Sequence, residues 1–418
     1  MLKPEFIASL KEIEGLDVEA LVESLGVRPE TSIRINRRKL DDPAVLGYDG
    51  LQPVSWCGSG FYLPDRPVFT LNPLFHAGLF YVQEASSMIH ETIVGRVLPM
   101  LPPSPRVLDL CAAPGGKTTA AMNALPDTAT VIANEIMPKR AKILRENLMK
   151  WGFPGTVVTS VDTGVFASGG PIFDLVIADA PCSGEGMMRK DETAAAQWTE
   201  GLVAACETLQ RKILADAVEA LAPGGILIYS TCTFNTRENE GNLRFAMENL
   251  GLEAVDLKLP PEWGISPQAS GPYPALRFMP HVTRGEGLFA AVMRKPGAAP
   301  AGKIQAVSRL KASLRPLMDG IPRTETLRPK RDGKKEGIEI PRSEWALAYD
   351  FPRNRYPEAE VDEAAALSYL RHESMVLPAG TPRGFVVITY KGYPLGFVKN
   401  LGTRANNLYP AEWKIRNL

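Results

Sequence analysis

The feature that most constrains this chain is a repeated switch, from Arg106 onward, between short apolar runs and amphipathic helical stretches. VLDLCAA, TVIANE, GTVVTSVD, FDLVIADAP and ILIYSTC read as five strands. Between them GGKTTAAMNAL and PKRAKILRENLMKWG read as helices, as does the long stretch 199–221, which ends in the stop signal APGG. LFAAVMRK, around Val292, closes the set. Strands that alternate with helices require a mostly parallel sheet covered on both faces, because each crossover lays a helix across the sheet. Ligands of such sheets bind outside the carboxyl ends of the strands. The pattern predicts a Rossmann-like α/β domain over residues 91–295, with its chemistry at the strand ends.

A chain of 418 residues is too long for that domain alone. Upstream, FIASLKEI and VEALVESL carry apolar residues at helical spacing, and TSIRINRR alternates like a strand. LFHAGLFYVQEASSMIHETIV reads as a loop and then a helix beginning near Glu84. Residues 1–90 are therefore expected to form a small α+β region. Residues 296–340, rich in Pro, Gly and Lys/Arg, read as a basic linker or loose extension. In 341–418 the runs GFVVITY and YPLGFVKN predict a compact, mostly β module, with Asn406 and Asn407 in its turns.

Formal net charge is zero, so only charge placement speaks to partners. Basic residues cluster in SIRINRRK, in 303–335 and in 383–416, a distribution that suits phosphate contact as well as solvated surface. Five scattered cysteines argue against a disulfide framework and for a reducing cytoplasm. No Cys/His cluster has metal-ligand spacing, so no metal is expected. The start MLKPEFIASLKEIEG is not that of a signal peptide, and no apolar stretch reaches membrane-spanning length, so no membrane is expected either.

The turn after the first α/β strand, AAPGGK, puts Gly115 and Gly116 where a ligand can approach the backbone and a helix N-terminus offers free N–H groups. It matches neither the GxGxxG dinucleotide fingerprint nor the P-loop spacing. Acids end the strands that follow. Glu135, some twenty residues beyond the glycines, is placed to accept from a ribose diol. Asp162 is placed to meet an adenine amino group or to cap the next helix, and Asp179 closes FDLVIAD. Together they suit an adenosine-containing ligand. Two cysteines, Cys182 in DAPCSGEG and Cys232 in YSTCTFN, reach the same crevice from neighbouring strands. Such a pair serves covalent chemistry, or each is a small buried hydrophobe, as free cysteines commonly are.

CAAPGGKTT, DAPCSGEG, STCTFNTRENE and PHVTRGEGLFAAVMRK, in this order and spacing, resemble the Nol–Nop–Sun family of RNA (cytosine-5) methyltransferases, over roughly residues 30–295. The tail GYPLGFVKNLGTRANNLYPAEWKIR is similar to the PUA-like RNA-binding region of that family's bacterial members that act on small-subunit (16S) ribosomal RNA. The resemblance implies a class I S-adenosylmethionine-dependent methyltransferase fold. Cys111, Ala112, Ala113, Pro114, Gly115, Gly116 and Lys117 would line the cofactor pocket, with Glu135 on ribose, Asp162 on adenine and Arg140 nearby. Cys232 would attack cytosine C6, Cys182 would assist product release, and Asp179, beside the cofactor, would orient the cytosine ring. Lys117 and Arg189 are the cations available to ionise a thiol. Arg34, Asn36 and Lys190 would face RNA, whereas His281 reads as a structural strand-end residue.

The implied partner is ribosomal RNA or the assembled 30S subunit, met by a monomer. Transfer RNA is the competing substrate, and a catalytically silent assembly factor is the competing class. A silent relative has no need of both cysteines. A small-molecule enzyme of the same fold leaves the cysteine pair and the basic tail unexplained.

Overall fold

The computed structural model describes residues 2–265, 272–298, 310–311, 313–327 and 338–416. The chain begins with helices Pro4–Leu10 and Val18–Leu25, the second capped by the Asp17 carboxylate, which accepts from Ala20 N at 3.0 Å. Strands β1 (Thr31–Ile35), β2 (Gln52–Val54), β3 (Cys57–Leu63) and β4 (Phe80–Val82) form an antiparallel sheet in the order β2-β3-β1-β4. The helix expected from Glu84 starts later. A 3₁₀ turn, Ser86–Met88, precedes helix Ile89–Val97, and the Glu84 carboxylate takes the N–H groups of Ser86 and Ser87 at 2.6 and 2.9 Å. Glu84 therefore caps the element instead of opening it.

The α/β strands are β5 (Arg106–Asp109), β6 (Thr130–Asn134), β7 (Thr156–Thr159), β8 (Phe173–Asp179) and β9 (Leu221–Thr231). All pair in parallel. Three further strands extend one side: β10 (Glu253–Ala254), β11 (Leu276–Phe278) and β12 (Leu288–Arg294), the last antiparallel to β9. The order β10-β12-β9-β8-β5-β6-β7 places a switch point between β5 and β8, because the chain winds outward from there in both directions. The long helix does end at the run LAPGG, and that run at once opens β9 instead of forming a separate turn.

Continuous apolar runs make these strands because both faces are covered. Val107, Val131, Leu175, Ile177, Ile226 and Ile228 feed one core, while their neighbours Leu108, Ile132, Val176, Ala178, Leu227 and Tyr229 feed the other. Helix Glu200–Ala220, N-capped by the Thr199 hydroxyl, covers the second face with Ile213, Leu214 and Ala217.

The linker expectation needs correction for the described part of 296–340. Leu310, Leu314, Met318 and Ile321 are buried, and β13 (Met318–Asp319) pairs antiparallel with the edge strand β7. Beyond it β14 (Thr324–Leu327) pairs with β15 (Ile338–Pro341). The basic, Pro-rich composition hid four apolar residues spaced to cover a sheet edge; residues 299–309 and 328–337 lie outside the described residues.

The final module orders β16 (Glu358–Glu360), β17 (Gly384–Tyr390), β18 (Tyr393–Asn400) and β19 (Ala405–Asn407) side by side, with helix Glu363–Leu370 packed on them. Asn406 and Asn407 are strand residues of β19, not turn formers, and the Asn407 amide donates to Tyr369 O and Glu373 O at 2.8 and 3.0 Å. One apolar cluster runs from Ile33 through Val131 to Trp345 and Phe397, so the module shares a core with the rest of the chain. At Gly152, where φ is +82°, a Cβ would lie 2.3 Å from Leu347 O. Among the described residues no helix is long and apolar enough to cross a membrane.

Candidate active site

The crevice opens at the switch point. Asp109 ends β5, its Oδ2 accepting from Thr118 Oγ1 at 2.6 Å while Oδ1 is buried with no partner; burial pushes this carboxyl up to about 7. The loop then turns at Gly115, φ +111°, where a Cβ would come within 3.3 Å of Leu144 Cδ1, so only glycine lets helix Gly116–Ala124 start here. Ala112 and Ala113 are buried, Cys111 is half-buried, and burial raises its thiol. The loop is braced from helix Pro138–Trp151: Arg140 donates to Ala113 O at 2.7 Å and Asn147 to Pro114 O at 2.8 Å.

Beyond β6, the Glu135 carboxylate is buried, takes Met137 N at 2.9 Å and pairs with Arg140 at 3.1 Å. Ile136 and Met137 stay exposed beside it, at 55% and 54%, an apolar surface that a flat ring could cover. Past β7, Asp162 caps Gly164 N at 2.9 Å and pairs with Lys212 at 3.1 Å. These two contacts hold its carboxylate below the usual range.

The cysteines meet across the β8–β9 seam, where Asp179 lies in register with Ser230. Cys182 follows β8 by three residues and Cys232 follows β9 directly, and their Sγ atoms are 3.4 Å apart. Asp179 accepts from Lys117 Nζ at 2.6 Å and from Ser230 Oγ at 2.8 Å. The loop carrying Cys182 is fixed from behind. Glu238, buried and lifted by that burial, takes Ser183 N at 3.0 Å, and Gln210 donates to both Glu238 and Pro181 O. Gly186 N donates to Cys232 O at 2.9 Å, and a Cβ on Gly186 would sit 3.0 Å from that oxygen.

The two thiols are pushed in opposite directions. Cys232 is lowered, because Cys182 donates a hydrogen bond to it and Lys117 adds positive charge; Cys182 is raised, because its proton is held in that bond and it is buried. Arg189 does not contribute, since its guanidinium is bound to the carbonyls of Val27, Arg28 and Gly285.

The RNA-facing expectation fails for two residues. Arg34 is fully buried on β1, bonded to Gln83 Oε1, Thr119 O and Oγ1, and Gly116 O, with its guanidinium 4.7 Å from the Trp151 ring centre. Asn36 is also buried and donates to Gly78 O and Trp151 O. Both fasten the N-terminal sheet to the cofactor-loop helix and its neighbour. Their place in a basic run concealed this, because the segment is covered on both faces and every side chain from Ser32 to Asn36 is buried. Lys190 differs. It pairs with Glu286 at 3.5 Å and lines a cleft of about 500 Å³ with Arg28, Glu30, Arg66, Glu84 and Arg189. The residues that sequence reasoning missed are Ser230 and Glu238, which lie inside quoted motifs but look like filler there, and His90, which carries no signal at all. Among the described residues no group of three or more His, Cys, Asp or Glu side chains could hold a metal ion.

Residues 100–294 match the family model for 16S rRNA methyltransferase RsmB/F. Residues 2–85 match the N-terminal domain of 16S rRNA methyltransferase RsmF, and residues 356–415 the methyltransferase RsmF PUA domain. The ribosomal RNA small subunit methyltransferase F of Aeromonas hydrophila subsp. hydrophila is 31% identical, over 91% of this chain and 90% of that protein. Its namesake from Enterobacter sp. (strain 638) is 30% identical over 98% and 95%. Among solved structures, a methyltransferase homolog from Pyrococcus horikoshii aligns with TM-score 0.58 at 28% identity, covering 70% of this chain and all of that one. NSun6 from the same organism, solved with SFG, aligns at 0.59 and 22%, covering 71% and 99%, a likeness of fold.

Proposed function

This chain belongs to the ribosomal RNA small subunit methyltransferase F family, and we propose that it methylates C5 of a cytosine in small-subunit ribosomal RNA through a covalent cysteine adduct. The observation that carries the reading is the pair of thiols 3.4 Å apart, one lowered and one raised, beside the Lys117–Asp179 ion pair. The crevice suits S-adenosylmethionine: a glycine turn with φ +111° at Gly115, the unpartnered Asp109 Oδ1, buried Glu135 with Arg140, and the exposed Ile136 face. Cys111 through Lys117 would line it, Glu135 would hold the ribose, and Asp162 would meet the adenine edge. When bound, the cofactor supplies a methyl group on a positively charged sulfur.

Cytosine C5 is too weak a nucleophile to take that methyl unaided. Cys232, the thiol whose proton is made easier to lose, adds to C6 as its thiolate, and the C5–C6 π electrons become available at C5. Asp179 receives the N3 and amino edge of the ring, and Lys117 keeps its carboxylate in place. Once Cys232 is bonded to carbon its charge is gone, and with it the main reason the Cys182 thiol is raised. Cys182 then loses its proton to solvent and takes the C5 proton; the electron pair re-forms C5=C6 and expels the Cys232 thiolate. The cytosine must be unpaired or flipped out of its helix to reach the crevice. Lys190 and the cleft beside it would hold neighbouring nucleotides, and the C-terminal module would grip RNA further away. The enzyme would work in the cytoplasm on ribosomal RNA or the 30S particle, as one copy and without a metal.

RNA carrying 5-fluorocytosine at candidate sites tests the chemistry, because fluorine cannot leave as a proton does. With cofactor present the protein should form an adduct that survives a denaturing gel. Adduct formation by Cys232→Ala would sink the assignment. The absence of any 5-methylcytosine loss in small-subunit RNA from a deletion strain would sink the substrate.

A further inference from the structure

One buried histidine touches the site and has no part in the chemistry above. His90, on helix Ile89–Val97, is fully buried, with Nδ1 3.1 Å from Ser87 O and Nε2 3.2 Å from Ser230 Oγ. A carbonyl oxygen can only accept, so the hydrogen of the neutral ring sits on Nδ1, and Nε2 presents a lone pair to Ser230. The ring is neutral because burial, and after it the charge of Lys117, pushes it down to about 4. Ser230 has one hydroxyl hydrogen and two acceptors, Asp179 Oδ1 at 2.8 Å and His90 Nε2 at 3.2 Å. It can satisfy only one at a time. With the hydrogen on Asp179, the His90 lone pair faces the serine oxygen without a donor.

That arrangement makes sense if the hydroxyl is meant to move. We propose that Ser230 is a positioning residue whose hydrogen turns from Asp179 Oδ1 to His90 Nε2 as cytosine binds, freeing Asp179 to take the cytosine amino group. The turn is a rotation about the serine Cβ–Oγ bond, so no covalent bond changes. Before it, Asp179 holds Lys117 and Ser230; after it, Asp179 holds Lys117 and cytosine, and Ser230 holds His90. Every buried donor keeps an acceptor in both states, which lets the site exchange a protein partner for a substrate partner at little cost. The inference rests on the reading that Asp179 receives the cytosine edge.

Two independent measurements test it in the full-length protein. The first needs no variant: nitrogen-15 imidazole spectra, with four histidines in the chain, followed before and after trapping on 5-fluorocytosine RNA. His90 should show the Nδ1–H tautomer throughout, and its Nε2 resonance should move upfield when it gains the Ser230 hydrogen. An Nε2 resonance unchanged by trapping overturns the proposal. The second compares rates. His90→Phe should lower kcat/KM for RNA about tenfold, the scale of one hydrogen bond lost at a buried site, and His90→Gln, which keeps an acceptor, should recover most of it. In a Ser230→Ala background His90→Phe should add nothing, and cofactor affinity should be unchanged in each. Additive losses, or no recovery by Gln, would assign His90 to packing. Asp179→Asn is run alongside: a fully active Asp179→Asn removes the underlying reading, whereas an inactive one beside a wild-type His90→Phe removes only the toggle.

Discussion

Strand β1 and the ends of β8 and β9 both carry buried polar side chains, yet they use them in opposite ways. On β1, Arg34 gives its N–H groups to Gln83, Thr119 and Gly116 and lays its face on Trp151, and just past the strand Asn36 donates to two carbonyls. The partners are fixed, and nothing is left for a ligand. At the ends of β8 and β9, Cys182 and Cys232 are joined by one hydrogen bond, Ser230 faces two acceptors, and at the neighbouring end of β5 Asp109 keeps an oxygen with no partner. A polar group whose bonds are all made holds the fold together. One whose bonds can be exchanged is available for chemistry.

The comparison can be broken most forcefully at Cys182. Cys182→Ala should cut turnover by about a thousandfold or more, the scale on which members of one catalytic unit fail, and leave a covalent protein–RNA complex on ordinary RNA. Denaturing gels read the complex directly, and its absence would undo the release role. Lys117→Met comes next, with a loss of about a hundredfold near neutral pH, as for a removed electrostatic stabiliser. The thiolate that attacks is present above the Cys232 value, which lies below the ordinary thiol value of 9.0 partly because of Lys117. Activity therefore rises with pH through that value, and removing Lys117 should move the acid limb of kcat/KM toward alkaline pH. An unmoved limb would dissociate Lys117 from the thiol.

On β1 the expected damage is to stability. Arg34→Met strands several buried acceptors and should cost about 3 kcal/mol in urea unfolding, while RNA affinity per folded molecule stays unchanged. A loss of RNA affinity without a loss of stability would restore the RNA-facing expectation. The smallest effect belongs to Asp162→Asn. Its carboxylate is exposed and bonded to Gly164 and Lys212, so cofactor KM should rise only a few-fold, about the value of one exposed pair, and unfolding should barely change.

The same contrast explains what was legible in the sequence. The parallel sheet and the thiol pair could be read because they follow from local pattern: a strand's apolar run ends where a special residue begins. Gly115, Cys182 and Cys232 announce themselves by type and position. Arg34 was misread because a basic run looks alike whether its residues point out or in, and only packing against Trp151 decides. The packing of Leu310, Leu314, Met318 and Ile321 was missed because four spaced apolar residues are a weak signal within basic, Pro-rich sequence. His90 was invisible because its meaning lies in Ser230, 140 residues away, which no local pattern connects to it.

Gly152 gives the shape of the molecule a further consequence. Where helix Pro138–Trp151 ends, the backbone lies so close to Leu347 O that no side chain fits between, Tyr349 N donates to Gly152 O at 3.2 Å, and Lys150 reaches over the Trp413 ring. The catalytic crevice and the C-terminal module are thus jaws of one calliper with a locked hinge. Neither jaw can swing against the other without breaking the contact at Gly152 and Leu347.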